Sequence, residues 1–130
     1  MSMPSDKPPL RSEASRLNKA LNQAAQDSVL SGEPRAFGLS NQGYAFMRFQ
    51  DNEWEAVKTA QWSEDVEPVL SKNGEPKKLT QEVLPYILFD PTGQSTLFDL
   101  TLSGANGDRF ILSSAGDGRV RIESDPQSTL

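Results

Sequence analysis

The stretch Leu10-Arg-Ser-Glu-Ala-Ser-Arg-Leu-Asn-Lys-Ala-Leu-Asn-Gln-Ala-Ala-Gln-Asp-Ser-Val-Leu30 decides the fold. Its apolar residues Leu10, Ala14, Leu17, Leu21, Ala24 and Ala25 recur mostly every three or four positions. That interval lays them along one stripe of an α-helix. Arg11, Glu13, Arg16, Lys19, Gln23 and Gln26 fall off the stripe. Pro8 and Pro9 bar a helix from running further back, and Pro9 suits a first helical turn. Gly32 terminates the helix and Pro34 prevents its continuation. The spacing predicts one helix over residues 10–31. No other segment has a comparable period, so this helix must cover whatever sheet the remainder builds.

Downstream, short β-like runs alternate with turn residues. Residues 35–40 read as a strand with Phe37 and Leu39 on one face, and Asn41-Gln42-Gly43 as a turn in which Gly43 supplies a positive φ. Residues 44–50 follow, with Tyr44, Phe46 and Arg48 facing one way and Ala45, Met47 and Phe49 the other. Both faces are largely apolar, which predicts a central strand covered by the helix. Gln50-Asp-Asn-Glu53 turns into a third strand at 54–58. Residues 59–85, rich in Pro and acidic residues, read as a long irregular segment. Short strands around Val66, Val69 and Leu70 and around Lys77 to Leu79 interrupt it, and Trp62 anchors it by burying its indole. Strands resume at 86–90 and 95–102, the latter sending Phe98, Leu100 and Leu102 to the core, and again at 108–113 and 119–123. Gly104-Ala-Asn-Gly107 reads as a hairpin loop, and Ala115-Gly-Asp-Gly118 as a turn with positive φ at Asp117 and Gly118. The expected architecture is α+β: an N-terminal amphipathic helix packed on antiparallel sheet built from short hairpins. Residues 1–9 read as a flexible leader or cloning arm, 10–123 as a single domain, and 124–130 as a polar tail.

The chain has 130 residues, 35% hydrophobic, which suffices for one core. Its net charge is −5, the wrong sign for nucleic acid or anionic membrane surfaces. With neither Cys nor His, it has no disulfide framework, no Cys/His zinc site and no imidazole base. No run approaches the ~20 apolar residues of a spanning helix, and the start lacks the apolar core of a signal peptide. Asp90-Pro-Thr-Gly93 lacks the alternating acids of a calcium loop and reads as a hairpin. Glu64, Asp65 and Glu67 read as a solvated acidic surface. Arg109, Arg119 and Arg121 read as partners for cross-strand carboxylates rather than as a ligand patch. No catalytic constellation, cofactor motif or metal motif emerges.

Three motifs in order carry a resemblance. The helix end runs Ala24-Ala-Gln-Asp-Ser-Val-Leu-Ser-Gly-Glu-Pro-Arg-Ala-Phe-Gly-Leu39 into the first strand. Leu88-Phe-Asp-Pro-Thr-Gly-Gln-Ser-Thr-Leu-Phe-Asp-Leu-Thr-Leu102 forms a hairpin, and Ser113-Ser-Ala-Gly-Asp-Gly-Arg-Val-Arg-Ile122 a closing strand. Their order and spacing resemble the H-type minor pseudopilins of the type II secretion system, within the wider family that includes type IV minor pilins. The match to the family's acidic passage before the first strand is partial, with Gln26-Asp27 in its place.

The resemblance implies a pilin-like fold and a non-enzymatic subunit near the tip of the pseudopilus, which exports folded proteins across the outer membrane. It implies other pseudopilins, major and minor, as partners through the N-terminal helix, with secreted cargo and the secretin as further candidates. It also implies a single-pass anchor in the bacterial inner membrane, with this domain in the periplasm. Family members carry a cleaved basic leader and an apolar helix ahead of the region seen here, so this helix would be the amphipathic half of a longer one. On that reading the Leu10 and Ala14 end projects toward neighbours, and Leu10, Arg11, Ala14 and Arg16 are the candidate partner-binding residues, while Leu17, Leu21 and Ala24 pack on the sheet with Tyr44 or Phe46. Two alternatives are a type IV pilus minor pilin and a freestanding binding module that uses the 59–85 segment for recognition.

Overall fold

The computed structural model describes residues 9–124; of the expected leader only Pro9, and of the expected tail only Ser124, fall within them. Helix α1 spans Leu10–Ser31. Pro9 is extended, and its carbonyl accepts from the N–H groups of Ser12 (2.9 Å) and Glu13 (3.2 Å). Gly32, left-handed at φ 74°, closes the other end by donating its N–H to the Ser28 carbonyl.

Nine strands follow among the described residues: β1 (Arg35–Leu39), β2 (Gly43–Gln50), β3 (Glu53–Gln61), β4 (Glu67–Lys72), β5 (Glu75–Lys77), β6 (Leu84–Phe89), β7 (Leu97–Ser103), β8 (Arg109–Ala115) and β9 (Arg121–Ser124). They form two antiparallel sheets, ordered β3-β2-β1-β6 and β5-β4-β7-β8-β9. Helix α1 lies against β1 and β6 of the first and β7, β8 and β9 of the second. One core results, in which Leu17 and Leu21 meet Phe37, Leu39, Ile87 and Phe89 from one sheet and Phe98, Leu100 and Leu112 from the other. Each such side chain contributes ~1.5–3 kcal/mol by leaving water.

Four expectations change. The helix rests on β1 rather than on β2, because β1 is the short central strand buried along nearly its whole length. Tyr44 and Phe46 instead pack on Phe37 with their rings tilted about 45° to it, at centroid distances of 5.4 and 5.1 Å. Ala14 does not project: it is 0% exposed and belongs to the core. The 59–85 segment is less irregular than expected: the short strand expected around Val69 and Leu70 is β4, which pairs with β5 in a hairpin, and the end of β3 and the start of β6 also fall within it. Its prolines read as breakers, yet each occupies a tolerated place. Pro76 and Pro85 lie in edge strands, and Pro68 precedes the part of β4 that pairs with β5. Trp62 is buried as expected, its indole N–H donating to the Ser40 carbonyl at 3.0 Å.

Turn chemistry also moves. Gly43 has no positive φ; a side chain there would collide with the Ala60 carbonyl across the β2–β3 ladder. In the 115–118 turn the left-handed residues are Gly116 and Gly118, not Asp117. Asp51 and Asn52, at φ 54° and 64°, make the two-residue turn that joins β2 to β3.

Candidate functional site

The chemistry of this molecule lies on α1 and on how α1 is fastened. Its buried side is tied down by three polar locks that no helical period foretells. Asn22 mimics a strand: its Oδ1 accepts from the Val120 N–H and its Nδ2 donates to the Val120 carbonyl, each at 2.9 Å. Ser28, fully buried, places its hydroxyl 2.7 Å from the Glu33 carbonyl and 3.0 Å from that of Phe89. Glu13 reaches the connection after β3, where its carboxylate accepts from the Ser63 hydroxyl at 2.7 Å. Asn22→Ala strips the Val120 backbone of both partners and is expected to cost about 2 kcal/mol in a denaturant melt.

The two sequence motifs around Asp90–Gly93 and Gly116–Gly118 meet behind the helix. Ser95 donates its N–H to the Gly116 carbonyl, and its hydroxyl receives the Gly118 N–H at 3.2 Å and lies 3.1 Å from that of Ser114. The Arg119 N–H, donated to Asp117, holds that carboxyl below its usual range, with Arg121, 3.2 Å away, adding to the effect. A lowered folded pKa favours the fold above the ordinary carboxylate value and is lost as pH falls through the lowered one. Arg121 thus has a carboxylate partner, though on its own turn rather than across a ladder.

The exposed side of α1 differs. Arg11, Arg16 and Lys19 stand in solvent and, with Ser12 and Ser15, line one surface depression. None of the three cations has an ion-pair partner among the described residues. Arg16 bears on Tyr44, whose phenol burial pushes above its ordinary pKa, with Glu13 adding to the rise and Arg16 opposing it. Arg11 sits in the first turn, where the helix dipole already disfavours a cation. Of the four residues singled out in the sequence, Arg11 and Arg16 therefore share an open surface. Leu10 is half-buried near Gly104, fastening the start of the helix to the β7–β8 loop, and Ala14 is in the core. Lys19 was the omission, and its spacing from Arg11 and Ser15 would have shown it.

Among the described residues no helix is long and apolar enough to cross a membrane.

Comparison with known proteins gives this surface its context. The family model described as type II transport protein GspH matches residues 13–124. No curated protein matches the sequence. Among solved structures, the solution structure of E. coli GspH is 21% identical with a TM-score of 0.72, covering 93% of this chain and 92% of that one. Two structures of the minor pseudopilin EpsH from the type II secretion system of Vibrio cholerae match with TM-scores of 0.72 and 0.73. They are 13% and 14% identical, over 88% and 85% of this chain and 95% and 93% of theirs. These likenesses establish the pilin-like fold. With the family match over nearly all of the domain, the chain belongs to the GspH family of type II transport proteins, the minor pseudopilins of the type II secretion system.

Proposed function

We propose that this domain is built into the periplasmic pseudopilus near its tip, where it serves the export of folded proteins across the outer membrane without enzymatic activity of its own. In this reading an apolar helix preceding α1 anchors it in the inner membrane. The cationic face of α1 docks on carboxylates of neighbouring pseudopilins. One observation carries the assignment of that surface. The buried side of the helix is committed to the domain's own core by Leu17, Leu21, Asn22 and Ser28, while Arg11, Arg16 and Lys19 are exposed and have no ion-pair partner among the described residues.

The test reverses charge on that face. Arg11→Glu with Arg16→Glu is expected to change the stability read from a thermal melt by no more than an ordinary surface change, about 0.5 kcal/mol. Co-precipitation with the periplasmic domains of the other pseudopilins is expected to fall about tenfold or more and to become less salt-sensitive. Unchanged co-precipitation would remove this face from the assembly. Mass spectrometry of the membrane fraction, searched for an N-methylated phenylalanine followed by an apolar helix, tests the anchor.

A further inference from the structure

The outer edge of β3 is the one long strand edge left open among the described residues. Strand β3 has nine residues and ends the first sheet. The opposite edge, β6, is shorter, at six residues, and is covered at its far end, where the Thr96 N–H donates to the Leu88 carbonyl and Thr96 Oγ1 accepts the Leu88 N–H, each at 3.0 Å. The edges of the second sheet, β5 and β9, have three and four residues. An open edge as long as β3 is a template for another strand.

What that strand must carry follows from a bulge. The β2–β3 register pairs Phe46 with Lys58 and Met47 with Ala56, so Val57 is an extra residue. The insertion turns Glu55 and Lys58, three apart, to the same face of the sheet, the one that also carries Arg48 and Phe46. Glu55 approaches Arg48 at 3.5 Å, whereas Lys58 has no ion-pair partner among the described residues. Val57 itself is 63% exposed.

Backbone direction follows from the turn. In a two-residue hairpin the closing pair, here Gln50 and Glu53, exchanges both hydrogen bonds. Trp54 and Ala56 then direct their N–H and C=O groups away from β2. Beyond the bulge, Thr59 does so too.

We propose that this edge pairs with the same edge of a second copy, antiparallel, about a twofold axis between Ala56 and Val57. In that register Trp54 lies opposite Thr59 of the second copy, and both have outward-facing backbone groups to exchange. Glu55 lies opposite Lys58 in a non-hydrogen-bonded pair, where side chains come closest. Symmetry produces both contacts twice. The bulge, which would spoil pairing with a regular strand, meets an identical bulge, so the extra residue on one side is matched on the other. The other register that gives Lys58 a carboxylate, opposite Glu53, would set each Val57 bulge against the regular stretch at Trp54, so the two extra residues would not match. The product is a continuous eight-stranded sheet with a closed, isologous interface.

The test is sedimentation equilibrium on the full chain. The wild type is expected to show a concentration-dependent dimer. Lys58→Glu, which leaves carboxylates at both positions, and Glu55→Lys, which leaves ammonium groups at both, are each expected to raise the dimer dissociation constant about tenfold or more. Mixing the two variants restores both charge pairs across the axis, and the mixture is expected to form a one-to-one dimer that neither forms alone. Matching far-UV spectra check that both variants fold. A monomeric wild type, a dimer indifferent to Lys58→Glu, or a mixture that stays monomeric would each overturn the proposal.

Discussion

Leu17→Asp is expected to abolish the folded domain. Leu17 is 2% exposed at the centre of α1, where the helix meets both sheets. The change forfeits ~2–3 kcal/mol of apolar burial. It also sets a carboxylate among Leu21, Phe37 and Phe98, where an unpaired charge costs several kcal/mol more. The sum is comparable to the whole stability of a domain of this size, about 5–15 kcal/mol. Far-UV circular dichroism at pH 7 should show loss of the cooperative melt, and a melt matching the wild type would refute the core assignment. Burial would raise the carboxyl's pKa above its unfolded value, so the variant should recover stability as pH is lowered toward that unfolded value. Leu17→Met, close in volume, should cost under about 1.5 kcal/mol.

Gly118→Ala is expected to be the next most damaging single change. Gly118 combines two constraints that rarely coincide. Its φ is 76°, and a Cβ at this position would overlap the carbonyl oxygen of Gly93, with the carbonyl carbon 3.1 Å away. The obstacle is backbone, which cannot swing aside like a flexible side chain. Left-handed strain alone costs ~1–2 kcal/mol, and separating the two turns raises the expected loss to about 3–4 kcal/mol. Gly32→Ala is the control: Gly32 has nearly the same φ, 74°, but no atom within 4 Å of its would-be Cβ. The difference between the two variants in urea melts isolates the turn-to-turn contact, and equal losses would show that the contact contributes nothing. Hydrogen exchange gives a local readout. The amides of Ser95 and Val120, held by the Gly116 carbonyl and the Asn22 side chain, should lose protection first.

Those two variants mark the division between what could be read in the chain and what could not. Leu17 is legible because helical period is a local property: residues three and four apart share a face whatever the chain packs against. The same holds for Phe98, Leu100 and Leu102, whose alternation declared their buried face before any partner strand was known. Ala14 was misassigned for a related reason. Period identifies the stripe but not how far along the helix the domain extends: the β7–β8 loop reaches back to Leu10, and Ala14 belongs to the buried core. The 59–85 segment was misread because proline counts against a strand only where its missing N–H faces a partner, and edge positions are not visible in one dimension.

By itself, the sequence determined the amphipathic helix with its Pro9 and Gly32 boundaries, the alternating buried faces of the strands, the absence of Cys and His chemistry, and the ordered motifs that resemble the H-type pseudopilins. All of these depend on residues near one another in the chain or on composition. The tertiary structure alone decided that two sheets share one helix, that Asn22 and Val120 pair across 98 positions, and that Gly93 meets Gly118 backbone to backbone. It also decided which of Leu10, Arg11, Ala14 and Arg16 remain in solvent. Such contacts join groups whose proximity arises only once long loops have closed. A polar side chain such as that of Asn22 looks the same in the sequence whether it faces water or completes a distant strand, so only the packed chain distinguishes the two.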